Sequence, residues 1–494
     1  MSSREERVAK AMLGMDAATV LMTDGYKFSM GQAGFPLRTE TFYLSFRRPG
    51  RYFIPFDLNE IIQHLLPLPP TTSESHFLNS VGYGLTPAME AALSGKVVVN
   101  AAPKGSWVRE REPILTVTGP SFLVSWLEPM AIWLQFPIQV ATAMKEAVRE
   151  FSIRCSCQDE AKIVDLVAAE LNKAEFTDSD TKITVAMNYP DDVWDAASEL
   201  VGAAGAYKIE QRVMEVGMRG ATCMAMHRLA LHSCMKAGIW ATSNVYLAKE
   251  LGIKAVGTAG HEHQQRWGND RAAFRALRDM RPGMPSYLFD TFHAKRGMMD
   301  AIRVAKEILP RKSSVRFDSG DRDAQFRFLA AADKEAGLDL TYVFMDSITA
   351  EAVEHFEALA EELGVSSDRV VYGAGGFLVG KSAPSEWTRD RVSAVYKLCQ
   401  SGTHPTMKTA TESKRSVPGK PVIFRRLIED AVGPAEEYKD CAGLIGQEDE
   451  IPPRGFTTDL AHAEASFEFK GAIRNSPRTD MIEMKILYQR GEGD

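Results

Sequence analysis

Residues that could carry acid–base or nucleophilic chemistry recur at the ends of short apolar segments between positions 252 and 380. Five segments, at 253–256, 286–289, 313–317, 341–345 and 369–372, run into the turns GTAGHE, DTFH, DSGD, DS and GAGG. For a single turn of this kind, turn formers and helix N-caps are the better explanation. Five in succession favour parallel strands whose loops collect catalytic groups on one face.

Two of these turns carry side chains with distinct chemistry. His261 could be a metal ligand, a general base or a nucleophile, although a lone histidine is more often a buried core residue. Asp318 and Asp321 follow Arg316, and two carboxylates beside a cation suit sugar hydroxyls or a magnesium–phosphate pair. The alternative is an N-cap followed by an acid that interacts with the helix dipole.

Phosphate binding is the chemistry that the glycine-rich and basic segments suggest. The loop after the last segment carries Gly373, Gly375 and Gly376, whose backbone N–H groups could hold phosphate oxygens. Basic residues cluster at two other places, which suits the same ligand; they are Arg47, Arg48, Lys414, Arg415, Lys420, Arg425 and Arg426. Together these features predict a phosphorylated sugar ligand.

The elements that position these residues follow from hydrophobic periodicity. Repeated strand–turn–helix units predict an α/β fold with an irregular β/α barrel over residues 151–390. Segments 41–46 and 97–117 are typical of antiparallel strands, and 121–144 of a buried helix pair. The strand-like segments in 391–426 suggest that residues 391–494 rejoin residues 1–150 in a discontinuous α+β domain.

Two local features complete this prediction. Residues 154–185 are polar and irregular in pattern, which suggests an insertion at a domain edge. A helix that ends at Gly252 would be capped at its start by Thr242 or Ser243.

Composition and charge narrow the class of protein. The 494 residues are 45% hydrophobic and 25% charged with a net charge of −7, which is typical of a globular protein and argues against nucleic-acid or membrane binding. The charged N-terminus and the lack of an uninterrupted apolar span predict a cytoplasmic location. The six scattered cysteines favour reduced thiols.

Nine short motifs occur in a fixed order along the chain. They are TDGYK (23–27), FRR (46–48), EVGMRG (215–220), TSNV (242–245), GTAGHE (257–262), DT (290–291), RFDSGD (316–321), YGAGG (372–376) and KRSVPGK (414–420). In these motifs the chain resembles nicotinate phosphoribosyltransferase and its near relative nicotinamide phosphoribosyltransferase, the type II phosphoribosyltransferases of NAD salvage. The resemblance covers most of the chain, and the order and spacing of the motifs make it specific.

The resemblance implies an ATP-coupled, magnesium-dependent transfer. It implies that ATP phosphorylates His261, and that Arg219 and Arg316 face the pyridine carboxylate and the ribose. Asp318 would lie on the ribose or metal side, with Asp290 also binding substrate. Gly373, Gly375 and Gly376 would hold the 5-phosphate of phosphoribosyl pyrophosphate.

The resemblance also implies a homodimer with shared active sites. In that arrangement Asp24, Tyr26 and the basic residues around Arg415 reach the neighbouring subunit's site, and Arg47 binds substrate.

Substrate choice depends on Ser243. An Asp at this position would repel a carboxylate in a low-dielectric pocket, whereas Ser can donate to it, so nicotinate is favoured over nicotinamide. Val216 and Gly220 depart from the aromatic residue and the second Arg usual in the family. The alternatives are a nicotinamide phosphoribosyltransferase and a binding paralogue without turnover.

Overall fold

The computed structural model describes residues 2–147, 149–172, 182–187, 192–205, 212–281, 283–382, 387–410, 416–424, 431–434 and 447–451. Numbered in chain order, the strands are β1 (Thr39–Phe46), β2 (Arg51–Phe53), β3 (Val97–Ala101), β4 (Trp107–Arg109), β5 (Leu115–Pro120), β6 (Glu150–Cys155), β7 (Lys182–Met187), β8 (Val213–Glu215), β9 (Ala241–Thr242), β10 (Lys254–Ala255), β11 (Ser286–Leu288), β12 (Ser314–Phe317), β13 (Thr341–Met345), β14 (Val370–Ala374), β15 (Ala394–Ser401), β16 (His404–Pro405), β17 (Pro421–Phe424), β18 (Ala431–Pro434) and β19 (Gln447–Ile451).

The helices lie between these strands, singly or in groups. They span Arg4–Leu13, Gly25–Ala33, Leu58–Leu65, Thr72–Ser80, Pro87–Leu93, Ser121–Trp126, Glu128–Trp133, Gln135–Glu146, Gln158–Leu171, Asp192–Ala203, Met224–Lys236, Val245–Leu251, His261–Trp267, Asp270–Met280, Ala294–Lys306, Arg322–Ala336, Ala350–Leu363, Gly376–Ser382 and Arg389–Val392, with short 3-10 helices at Met218–Gly220 and Ser367–Arg369.

The predicted α/β fold is confirmed by a seven-stranded parallel sheet. Its order is β10-β9-β8-β14-β13-β12-β11, so all five predicted strand segments belong to it, together with β8 and β9. The central strands are buried on both faces, as parallel strands covered by helices are. Because the strands are parallel, their C-terminal loops lie along one rim.

The helix Ala350–Leu363 shows how the sheet is covered. Its predicted apolar face includes Phe356, whose ring stacks on Phe344 of β13 with centroids 4.0 Å apart. Phe344 stacks in turn on Phe317 of β12 at 4.4 Å. The helix ends at Gly364, as predicted, where φ is 67° and a side chain would be strained.

A second, antiparallel sheet has the order β16-β15-β1-β5-β3-β19. β1 pairs with β5 on one side and with β15 on the other, so residues 394–401 lie beside residues 39–46. This pairing brings Lys397 opposite Tyr43 and carries basic residues from late in the chain toward the rim.

Three local predictions are corrected. Residues 121–144 form three short helices instead of a pair, because the chain is interrupted at Leu127 and again at Leu134, the cap residues between successive helices. Within 154–185 the described residues form the end of β6, the helix Gln158–Leu171, whose apolar face is buried, and the start of β7, so they are regular where an irregular segment was expected. The position of this segment at a domain edge stays a prediction. The helix Val245–Leu251 is capped by Asn244, whose side chain accepts from the Leu247 N–H, and not by Thr242 or Ser243.

Two further findings concern the chain as a whole. The cysteines among the described residues are free and buried. No helix in the described ranges is both long and apolar enough to cross a membrane.

Candidate active site

The site is built where the segment before the helix Gly25–Ala33 packs against the rim of the parallel sheet. A Cβ at Gly257 would lie 2.3 Å from the backbone nitrogen of Tyr26, so only glycine allows this approach. The Gly25 N–H donates to the Ser243 carbonyl at 2.8 Å, and the Val245 N–H to the Thr23 carbonyl at 3.1 Å. These contacts fix Asp24 and Tyr26 over the ends of β8, β9 and β10.

His261 is the first residue of the helix His261–Trp267 and lies inside a cluster of charged groups. Its Nδ1 lies 3.0 Å from Thr291 Oγ1, and its Nε2 lies 3.2 Å from Asp318 Oδ2 and 3.0 Å from Lys408 Nζ. Lys408 also donates to Asp290 Oδ2 at 2.9 Å. The rim therefore brings together His261, Asp290 and Asp318, as predicted from the turns that carry them.

Burial and charge set the protonation of this cluster. Burial lowers the pKa of His261 below its usual value, although Asp290 opposes the shift, so the neutral ring has a lone pair available near pH 7. Burial alone would raise the pKa of Asp318, but Arg316 and His261 outweigh it and hold that pKa well below the usual value. Asp318 is therefore an anion at neutral pH.

Arg316 donates several hydrogen bonds that hold this cluster together. Its Nη1 donates to Thr258 Oγ1 at 3.0 Å and to the Ala259 carbonyl at 2.8 Å, and its Nη2 donates to Asp318 Oδ1 at 2.5 Å. The side chain still lines the cleft, with its Nε lacking a hydrogen-bond partner. Arg316 thus orients Asp318 and also lines the cleft.

A second group surrounds Arg219. Its Nε lies 3.4 Å from Asp24 Oδ2, its Nη1 lies 3.6 Å from Glu128 Oε1, and its guanidinium is 5.5 Å from the centroid of the Tyr26 ring. The Tyr26 hydroxyl donates to Glu128 Oε2 at 2.9 Å. Burial would raise the pKa of Glu128, but Lys27 and Arg219 hold it well below the usual value, so Glu128 is ionised.

Two cavities meet at these residues and form one cleft. The cavity on the His261 side has a volume of about 270 Å³, and the cavity on the glycine-loop side about 600 Å³. Both are lined by Tyr26, Arg219, Arg316, Asp318, Arg389, Asp390 and Ser393. A ligand can therefore extend from His261 past Arg219 to the glycine loop.

The glycine-loop cavity has an open backbone wall. Gly373, Gly375 and Gly376 line it, as predicted, and face Asp346 and Ser347 at the end of β13. Asp346 and Ser347 have φ values of 62° and 51°, a conformation that non-glycine residues adopt at a cost and that is common at functional sites. Arg322 holds this turn by donating to the Asp346 carbonyl at 2.8 Å.

The cleft carries cations and carboxylates together. The cations that line the smaller cavity are Arg47, Arg219, Arg316, Arg389, Lys397 and Lys408, and the acids are Glu128, Glu262, Asp318, Asp346 and Asp390. Burial lowers the pKa of Lys397 to about 7, with Glu128 opposing the shift. The arginines and lysines could bind an anionic ligand, and the carboxylates could bind hydroxyls or a cation.

Sequence reasoning missed several of these groups. Four of the missed residues lie in segments whose pattern predicts a buried helix or strands, so their place in the cleft is seen only in the tertiary structure. They are Glu128, Arg389, Lys397 and Lys408. A buried Glu in an apolar helix, like Glu128, was the one available signal, because such a charge requires a partner.

Other predicted site residues have different surroundings from those expected. Asp321 is the N-cap of the helix Arg322–Ala336, accepting from the Ala324 N–H at 3.0 Å, so the capping alternative holds for it while Asp318 faces the cleft. Ser243 Oγ donates to Asp24 Oδ1 at 2.5 Å, so its hydroxyl proton is already engaged. Arg415 lies outside the described residues.

Asp24 and Tyr26 lie in the cleft of their own chain and contact its Arg219. The close backbone approach of Gly25 and Gly257 holds this segment against the rim of the same chain's sheet. The reach of these two residues into a neighbouring subunit's site stays a prediction.

Comparisons with known proteins agree with this geometry. A sequence profile of the nicotinate phosphoribosyltransferase (NAPRTase) family matches residues 211–431. A nicotinate phosphoribosyltransferase of Mycobacterium tuberculosis is 25% identical over 444 residues, which cover 88% of this chain and 79% of that protein. The Bos taurus nicotinate phosphoribosyltransferase is 26% identical over 488 residues, which cover 91% of this chain and 86% of that protein.

Solved structures share the fold. The crystal structure of nicotinate phosphoribosyltransferase from Porphyromonas gingivalis superposes with a TM-score of 0.57 at 17% identity, covering 81% of this chain and 96% of the other. That from Vibrio cholerae superposes with a TM-score of 0.55 at 18% identity, covering 82% and 91%. The profile and the relatives show that the chain is similar to nicotinate phosphoribosyltransferases over most of its length, and the solved structures share its fold.

Proposed function

We propose that this protein transfers the phosphoribosyl group of phosphoribosyl pyrophosphate to nicotinate, with ATP hydrolysis, in NAD salvage. The products are nicotinate mononucleotide and pyrophosphate. The observation that carries the proposal is the continuous cleft that runs from His261, past Arg219, to the glycine loop at Gly373–Gly376. Similarity to nicotinate phosphoribosyltransferases over most of the chain supports the same activity.

Nicotinate binding is assigned to the pocket around Arg219. Its guanidinium lies between Asp24 and Glu128 and beside the Tyr26 ring, so a planar carboxylate can accept from the remaining N–H groups. Arg219 is held by two acids before the substrate arrives, which reduces the entropy lost on binding.

The sugar phosphate occupies the larger cavity. The 5-phosphate would accept from backbone N–H groups of the loop containing Gly375 and Gly376, where no side chain blocks approach. As the bond from the anomeric carbon to pyrophosphate breaks, positive charge develops on the sugar. The ionised Asp318 lies in the same cleft and stabilises that charge.

The residues present fit a magnesium ion. Asp290 and Asp318 offer carboxylate oxygens, the ligands that Mg²⁺ prefers, and Asp290 Oδ1 is buried without a hydrogen-bond partner. Lys408 Nζ lies between them, 2.9 Å from Asp290 Oδ2 and 4.0 Å from Asp318 Oδ2, where a cation is favoured. A bound Mg²⁺ would neutralise charge on the pyrophosphate group.

His261 is assigned as the phosphoryl acceptor. With its Nδ1 proton directed to Thr291, the Nε2 lone pair can attack the terminal phosphorus of ATP and release ADP. Lys408 would neutralise the charge of the transferred group, and hydrolysis of the phosphohistidine would return His261 and release phosphate.

The first experiment is a product assay with purified protein, phosphoribosyl pyrophosphate and magnesium. Nicotinate or nicotinamide is offered with and without ATP, and each mononucleotide is quantified by chromatography. We expect nicotinate mononucleotide, with a yield that increases with ATP. No mononucleotide from either pyridine would overturn the proposal in favour of a binding paralogue.

One observation favours nicotinamide as the second candidate. Asp24 lines the larger cavity, and its Oδ2 is buried with no hydrogen bond and only the ion pair to Arg219 Nε at 3.4 Å, so it could accept from an amide N–H₂. The same assay decides between the two, because a nicotinamide product would show that Asp24 outweighs Arg219 in ring selection.

The pKa of Lys397 predicts a pH dependence of phosphoribosyl pyrophosphate binding. Because burial lowers this pKa to about 7, Lys397 is a cation at pH 6 and mostly neutral at pH 8. The KM for phosphoribosyl pyrophosphate should therefore rise as the pH increases through 7. The measurement is KM at fixed saturating nicotinate from pH 6 to 8.5, without ATP.

The variant Lys397→Arg provides the control, because a guanidinium stays charged over this range. We expect a flatter KM profile for Lys397→Arg than for the unmodified protein. Identical profiles would assign the pH dependence to another group, such as His261.

A further inference from the structure

Behind the nicotinate pocket lies a fully buried carboxylate that the proposed reaction does not use. Glu215 ends β8 and is 0% exposed. Its Oε2 accepts from Thr242 Oγ1 at 2.6 Å, and its Oε1 accepts from the Gly217 N–H and lies 3.1 Å from His227 Nε2. A single side chain therefore contacts two loops of the pocket and the helix Met224–Lys236.

The first of these loops carries Arg219. The Gly217 N–H, which Glu215 holds, begins the short 3-10 helix Met218–Gly220 that places the guanidinium in the cleft. A Cβ at Gly217 would lie 2.3 Å from Val379 Cγ2, so the loop is closely packed on its other side. A shift of Glu215 would therefore displace Arg219.

The second loop carries Ser243. Thr242 Oγ1 donates to Glu215 and accepts from the Asn244 N–H at 3.2 Å, and the Ser243 N–H donates to the Glu215 carbonyl at 2.9 Å. Ser243 in turn holds Asp24 at 2.5 Å. Glu215 thus contacts, directly or through one residue, the elements that carry Arg219, Ser243 and Asp24.

His227 completes the arrangement from the side away from the cleft. It is 0% exposed, and its Nδ1 lies 3.0 Å from Asn244 Nδ2, which can only donate. Nδ1 is therefore the acceptor, and in the neutral ring the proton lies on Nε2, facing Glu215. Burial would raise the pKa of Glu215, but His227 outweighs it and lowers that pKa, so the carboxylate is ionised.

We infer that Glu215, held by His227, is a positioning residue for nicotinate: it sets the relative placement of Arg219 and Ser243 without touching the substrate. Glu215 and His227 are not among the residues lining either cavity of the cleft, whereas Arg219 and Ser243 line the larger one. This inference rests on the proposed function. It predicts that disturbing Glu215 weakens nicotinate binding and leaves the phosphoribosyl pyrophosphate side of the cleft intact.

The test is Glu215→Gln, which keeps the size of the side chain but puts an amide where two acceptor oxygens are needed. We expect the KM for nicotinate to rise about tenfold or more, as misplacement of a binding group by a fraction of an ångström can do. The KM for phosphoribosyl pyrophosphate should change less than about twofold. Thr242→Val conserves volume but removes the hydroxyl that donates to Glu215 and accepts from the Asn244 N–H, and it should produce the same asymmetry to a smaller extent.

Asp333→Asn is the matched control. Asp333 is also a buried acid, accepting from the Tyr342 hydroxyl at 2.6 Å, but it lies at the opposite end of β13 from the rim. We expect it to lower the melting temperature and to leave both KM values unchanged. His227→Gln, which retains an N–H donor, should preserve nicotinate binding better than His227→Leu.

Two outcomes would overturn the inference. One is an equal rise in both KM values with Glu215→Gln, and the other is unchanged KM values with a loss of melting temperature like that of Asp333→Asn. If Glu215→Gln fails to fold, an equal rise in both KM values with Thr242→Val would contradict the inference in the same way. Nicotinate binding is also measured by titration calorimetry. An inactive unmodified protein would refute the proposed function, and the calorimetry distinguishes that result from a failed positioning role.

Discussion

His261→Ala is expected to abolish the stimulation of mononucleotide synthesis by ATP while leaving a slow ATP-independent transfer. The imidazole is the group placed to accept a phosphoryl group, whereas the pyridine and sugar-phosphate contacts lie on other residues. The ratio of the rates with and without ATP should fall to about one. Initial rates with radiolabelled nicotinate, together with a search for acid-labile phosphoprotein, measure both parts of the prediction.

His293→Ala is the control for this experiment. His293 lies close in sequence but is exposed and acts as the N-cap of the helix Ala294–Lys306. Its replacement should cost only the stability of a cap, about 1 kcal/mol, and leave ATP stimulation in place. Full stimulation of His261→Ala would refute the assigned role of His261.

Arg219→Lys should weaken nicotinate recognition strongly. Lysine keeps the charge between Asp24 and Glu128 but cannot present two parallel N–H groups to a carboxylate. Loss of a charge-assisted hydrogen bond costs about 1.5–3 kcal/mol, which corresponds to a rise in the KM for nicotinate of roughly tenfold or more. Steady-state KM values for both substrates measure the effect.

Arg228→Lys provides the matched control. Arg228 also pairs with an acid, donating to Glu250 at 2.5 and 3.0 Å, but it lies on the outer side of the helix Met224–Lys236. Its replacement should leave both KM values unchanged. An Arg219→Lys variant with the nicotinate KM of the unmodified protein would place the carboxylate elsewhere in the cleft.

Asp318 and Asp321 have different roles that the sequence alone does not distinguish. Both belong to DSGD, and both suited a ligand as well as a helix cap. Asp321 caps its helix, while Asp318 pairs with Arg316 and His261. The local sequence places both acids at the strand end, but only the packing of neighbouring loops decides which one faces the cleft.

The role of Ser243 in substrate choice also depends on tertiary packing. Its hydroxyl was expected to be available to nicotinate, yet it is engaged by Asp24, which is 219 residues away in the chain. Carboxylate recognition therefore depends on Arg219, and Ser243 contributes by holding Asp24 in place.

The sequence by itself determined the parallel strand–turn–helix units and the position of His261, Asp318 and the glycine loop at their ends, because periodicity and turn chemistry are local properties of the chain. Only the tertiary structure decided the partners of these residues. Lys408 lies 147 residues from His261, and Glu128 lies 102 residues from Tyr26. Such contacts depend on how β15 and the buried helices pack around the rim, and ionised groups in that interior are stable only because packing brings opposite charges within a few ångströms of one another.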